Sequence, residues 1–258
     1  MNKLYFLIVT FLTSTVSFGQ ATELYFSMYA EGSSNNKFLE IYNGTGADVD
    51  LSNYSISYCN NGCDTTGEFD YPDNVTFASG TTLANGDVYV IAHPSANAEI
   101  LAEADTTFQY ISNGDDVMAL TQAGATANAY TIIDIIGDLQ GDPGSGWAVA
   151  GVANGTQDKT LTRKSSVCGP NPNELGSFGT NTDDSEWIVG AIDSGVDELG
   201  SYTGCVSDPA LNIIAPNDGD VIAAGTTSVD ITIAVQNFSV GNPGSGVDGH
   251  IHWTVNNT

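Results

Sequence analysis

The sequence predicts an all-β protein, on three observations. Short apolar or β-branched runs alternate with turn residues along the whole chain. No stretch carries a sustained helical period. Glycine is abundant, at 29 of 258 residues, with Asn, Thr and Ser frequent throughout. Short runs punctuated in this way mark a sandwich or a barrel. Hydrophobic residues, at 41%, suffice for a core, and charged residues, at 14%, are too few for a disordered acidic tail.

The chain opens Met1-Asn2-Lys3, with one positive charge. An apolar run from Leu4 to Leu12 follows, then a small and polar stretch to Gln20. That order predicts a secretory signal peptide over 1–20, cut near Gly19 or Gln20. The apolar run is too short for a spanning helix of ~20 residues. No later run is long enough either, so the mature chain is expected to be secreted or at the cell surface, without membrane insertion.

Strands are predicted at 23–29, 38–42, 54–58, 75–77, 87–92, 116–121, 130–136, 159–163 and 186–189. Ser55-Ile56-Ser57-Tyr58 alternates, so one face should meet the core and the other water. Val88-Tyr89-Val90-Ile91-Ala92 is nearly continuous and should be central. The stretch 96–104 reads as a weakly helical loop turn. Asn43-Gly44, Asn85-Gly86, Asn113-Gly114 and Asp142-Pro143-Gly144 supply the turn residues between strands. Asp208-Pro209 marks a linker. Beyond it come strands at 211–214, 229–235 and 249–255, with a turn at 216–219. About 50 residues remain there, against the ~100 of an immunoglobulin-type domain. The expectation is a complete sandwich over 21–205, then an incomplete second β-sandwich over 206–258, in a chain that is part of a longer protein.

Four cysteines in an exported chain suggest two disulfides, and four allow three connectivities. Cys59 and Cys63 flank a tight loop, which makes them the local pair. Cys168–Cys205 would then close the end of the first domain. A zinc reading of Cys59-x3-Cys63 lacks a second closely spaced pair.

The formal charge is −26, and −27 for the mature chain once Lys3 leaves with the signal. Such a surface repels nucleic acid and anionic lipid, and favours cations, basic partners or solubility in salt.

The segment Glu31-Gly32-Ser33-Ser34-Asn35-Asn36-Lys37-Phe38-Leu39-Glu40-Ile41-Tyr42-Asn43 resembles the signature of bacterial lamin-tail domains. Asp48 to Ile56, Leu83 to Ile91 and Asn113 to Leu120 resemble further blocks in the same order. Leu161-Thr162-Arg163-Lys164, Trp187 and Leu199 to Thr203 resemble the closing segments, with Tyr202 where the family commonly has His. The likeness covers about 21–205. It implies an immunoglobulin-like β-sandwich of lamin-tail type. It also implies a non-catalytic attachment on exported or surface proteins, often beside hydrolases or sorting domains. DNA or chromatin binding does not carry over to so acidic a chain. Asn237 to Gly241 and Asp248 to Trp253 more loosely resemble immunoglobulin-like repeats of exported Bacteroidetes proteins.

Candidate sites are few. His250 and His252 share a strand face near Asp248 and could ligate a divalent metal. Asp115-Asp116 and the acidic loop of Asp64, Glu68, Asp70 and Asp73 offer oxygen ligands of the kind Ca²⁺ takes, without an EF-hand pattern. In the signature, 32–36 reads as a polar loop whose groups either shape a turn or hold a ligand; turn architecture is the favoured reading. Catalysis has little support: His93 is the only histidine of the first domain, and no Gly-x-Ser-x-Gly motif is present. Gly144-Ser145-Gly146 lacks the strand–helix setting of a phosphate loop. Trp147 either stacks on a sugar or plugs the sandwich edge. The function expected is a non-catalytic extracellular interaction or scaffold module, with a protein or polysaccharide partner at the cell surface and no cofactor other than a possible Ca²⁺. The alternatives are an accessory targeting domain of a larger secreted hydrolase and a Ca²⁺-stabilised adhesion repeat.

Overall fold

The structure is a computed structural model that describes residues 20–205, 210–216, 220–221, 226 and 229–236. Residues 1–19 of the predicted signal peptide and the predicted strand at 249–255 lie outside the described residues, as do residues 217–219 of the predicted turn. One compact unit is Gly19–Val206. Its strands in chain order are β1 (Tyr25–Glu31), β2 (Lys37–Tyr42), β3 (Val49–Asp50), β4 (Tyr54–Cys59), β5 (Tyr71–Thr76), β6 (Thr82–Leu83) and β7 (Val88–Ala92). A short helix, α1 (Ala98–Glu103), precedes β8 (Thr106–Thr107), β9 (Val117–Gln122), β10 (Ile132–Ile136), β11 (Thr160–Arg163) and β12 (Trp187–Val189). Two sheets form an immunoglobulin-like sandwich, ordered β12-β11-β1-β2-β7-β8 and β10-β9-β4-β5, with β3 and β6 pairing apart. All pairings are antiparallel except β7–β8.

The sandwich core lies between the sheets, where Phe26, Tyr29, Leu39, Ile41 and Leu161 meet Ile56, Met118, Leu120 and Ile135. A second cluster covers the outer face of the six-stranded sheet: Tyr25, Met28, Phe38, Tyr42 and Val90 pack with Ile100 of α1 and with Leu199. Both faces of β1, β2 and β7 are therefore apolar, the physical reason for their nearly continuous apolar runs. The register of β1 shifts between Phe26 and Met28, where two residues oppose one on β2. That bulge at Ser27 puts Phe26 and Met28 on opposite faces although they are two apart.

Three expectations change. Ser55 and Ser57 are fully buried rather than facing water. Their hydroxyls bond Thr121 Oγ1 at 3.0 and 2.9 Å, and Ser57 Oγ accepts the Asp73 N–H at 2.9 Å. The alternation here marks a strand whose polar face is buried and hydrogen-bonded, to Thr121 of β9 and to Asp73 of β5. β7 is an internal strand, yet it stands next to the two-residue edge β8 rather than at the centre. The weakly helical stretch is a true helix, capped where Asn97 Oδ1 accepts the Ile100 N–H at 2.9 Å.

Both disulfides pair as the spacing suggested, Cys59–Cys63 and Cys168–Cys205. In the second unit, β13 (Ala210–Ala215) and β14 (Thr232–Gln236) form an antiparallel pair.

Candidate binding cleft at the loop end of the sandwich

The antiparallel order brings several chain ends to one edge of the sandwich. β1, β4 and β7 finish there, and β2 and β9 begin there. Their loops enclose a polar cleft of about 250 Å³, lined by Ser34, Asn35, Lys37, Asn60, His93 and the run from Gln109 to Asn113 with Asp116. The disulfide Cys59–Cys63 closes the loop that carries Asn60. Asn61 and Gly62 turn that loop through left-handed backbone, at φ 55° and 74°. Gly114, at φ 87°, faces Glu31 Oε2 and Ser145 O so closely that a Cβ would lie 2.6 and 2.9 Å from them, so this turn requires glycine.

The charged groups here hold the loops together. Lys37 Nζ donates to Ser112 O at 2.6 Å and pairs with Glu31 at 3.6 Å. Glu31 Oε2 accepts the Asp158 N–H at 2.9 Å, and burial raises its pKa. Asp116 Oδ1 accepts the Asn61 N–H at 2.7 Å. Burial pushes the Asp116 carboxyl up to about 6. His93 Nδ1 accepts the Ser95 N–H at 3.0 Å, and burial, then Lys37, lowers its pKa. Its neutral ring therefore carries its proton on Nε2.

The sequence candidates separate on this frame. Asp115 and Asp116 stand on the turn before β9. Among the described residues no group of three His, Cys, Asp or Glu is placed to hold a metal ion. In the acidic loop, Asp70 Oδ1 accepts the Asp64 N–H and Asp73 Oδ1 accepts the Gly124 N–H. His250 and His252, with Asp248, lie outside the described residues. In the signature loop, Gly32 N bonds Asn36 O, and Asp193 Oδ1 takes the Ser33 N–H and the Asn36 amide. Those groups build the turn, whereas Ser34 and Asn35 face the cleft. Trp147 is buried, its ring against Gly137, so it plugs the sandwich rather than meeting a ligand. Lys37 was legible only as part of the signature segment, and the 109–112 segment carried no sequence signal: they become neighbours of Asn60 and His93 only when distant loops converge.

A family model described as Lamin Tail Domain matches residues 19–134. The chain carries a lamin tail domain. Lamin tail domains are immunoglobulin-like sandwiches and are generally non-catalytic. The match ends at Asp134, within β10, and so does not include the closing segments read at 161–164 and 187–203. This lamin-tail sandwich nevertheless uses later residues, since β11 pairs with β1 and β12 with β11. Among curated proteins, none matches the chain.

Proposed function

We propose that this lamin-tail-domain protein is a non-catalytic interaction and scaffold module of an exported protein, acting in the extracellular space or at the cell surface. The observation that carries the reading is the occupation of the cleft's charged groups. Lys37 and Asp116 of its lining, and Glu31 that pairs with Lys37, are each tied to backbone atoms or to one another, which suits rigid presentation of a surface better than proton transfer. The two disulfides support an oxidising compartment. Among the described residues no helix is long and apolar enough to cross a membrane.

The test is expression of the full chain in a bacterial host with its own N-terminus. The expected result is an exported chain beginning near Gly19 or Gln20, without free thiols, that retains a surface polymer or protein and leaves it unaltered. A chain left in the cytosol with reduced cysteines, or one that turns over what it binds, would contradict the reading.

A further inference from the structure

The cleft also holds side chains that the fold does not use. Those of Ser34, Asn35, Asn60 and Gln109 make no hydrogen bond among the described residues, yet all four line the same hollow. Beside them stands Tyr110, 61% exposed. Its ring is braced by Phe108, with centroids 5.9 Å apart and planes at 69°, and Phe108 in turn packs edge-on against Tyr58 at 5.3 Å. An aromatic ring fixed from one side and open to solvent is a stacking platform rather than a core residue.

We propose that this cleft is a subsite for a neutral glycan, bound as one or two sugar units of a longer chain. The inference rests on the reading of the protein as a binding module, and names its site and ligand class. Carboxamides, with a donor and an acceptor on one planar group, match the paired hydroxyls of a sugar ring. The Tyr110 face suits the C–H side of a pyranose, and the His93 Nε2–H adds a donor. At about 250 Å³ the hollow is smaller than the ~300–1,000 Å³ that encloses a drug-sized ligand, as fits a short part of a polymer passing over it. Charge selects the class: a chain of formal charge −26 repels uronic and sulfated sugars. A protein partner is disfavoured because the cleft lacks the desolvated apolar centre from which a protein hot spot draws its energy.

The experiment is isothermal titration and affinity electrophoresis of the full chain against laminarin, dextran and xylan, with alginate as the anionic counterpart and reducing ends assayed in parallel. Binding to at least one neutral polymer and none to alginate is expected. Tyr110→Ala and Asn60→Ala should each weaken that binding about tenfold or more without shifting the melting temperature. The inference is overturned if no neutral polymer binds, or if both variants bind as the parent does. Release of new reducing ends would instead overturn the module reading, whereas failure of every polymer without such release leaves that reading standing.

Discussion

Glu40 and Asp134 are carboxylates buried on strands, and each has a consequence at the scale of the single residue. Glu40 accepts the Ser27 hydroxyl at 2.6 Å and the Gly200 N–H at 2.8 Å, so it ties β2 to the segment that closes the domain. Burial pushes its pKa from 4.5 up to about 7. Below about 4.5 the folded and unfolded chains both hold the proton. Between about 4.5 and 7 only the folded chain holds it, so stability falls as pH rises; above 7 the full cost, roughly 3 kcal/mol, remains. Asp116 adds a fall over its own lower window. In E40Q most of the decline between pH 5 and 8 should disappear, since the amide keeps partners on both sides; urea titrations across that range measure it, and a parallel decline would count against burial as the cause. Asp134, fully buried, takes the Phe26 N–H at 2.8 Å, the Asn171 N–H at 3.0 Å and Arg163 Nη1 at 3.3 Å. It thereby joins β10 of one sheet to β1 of the other. Arg163 also contacts Glu186 Oε2 at 2.6 Å and lies over the Trp187 ring at 4.6 Å. Asp134→Ala leaves a buried guanidinium, the buried Phe26 N–H and the half-buried Asn171 N–H short of a partner, and should lower unfolding stability by about 3–5 kcal/mol.

Elements explain which expectations survived. Each of the nine strands predicted before Cys205 overlaps an observed one, and only that at 75–77 starts more than two residues from it. β3, β6 and β8 were not legible, because two residues carry no period and are set by their partners. The helix was underrated for a related reason: six residues are too few for a helical stripe, and α1 is held by its Asn97 cap and by Ile100 on the outer face of the sheet. Asn97→Ala should cost about 1 kcal/mol, read as a lower denaturant midpoint. The disulfides should differ in weight. Closing the five-residue loop at Cys59–Cys63 contributes about 2 kcal/mol by chain entropy, and the far longer loop of Cys168–Cys205 about 4 kcal/mol. Paired Ser replacements measured by denaturation should therefore rank C168S/C205S as the more damaging.

For the molecule as a whole, the governing quantity is charge. Self-repulsion among 31 acidic residues against five basic ones opposes the compact state and is screened by salt. The melting temperature should rise with NaCl and with KCl alike. It should not differ between added Ca²⁺ and EDTA at matched ionic strength, because the described acidic residues form no group of three suited to an ion. A large upward shift specific to Ca²⁺ would favour the adhesion-repeat reading.

Much of the architecture was local enough to be written in the sequence. The all-β class, most strands of the sandwich and the disulfide between Cys59 and Cys63 follow from apolar runs, turn pairs and spacing, which act over a few residues. Tertiary structure alone decided that Ser55 and Ser57 are interior, because their burial depends on Thr121 and Asp73 arriving from other elements. It alone decided the cleft as well. Ser34, Asn60, His93 and Tyr110 belong to four separate segments without a common motif, and only the antiparallel pairing of β1, β2, β4, β7 and β9 carries their loops to one end.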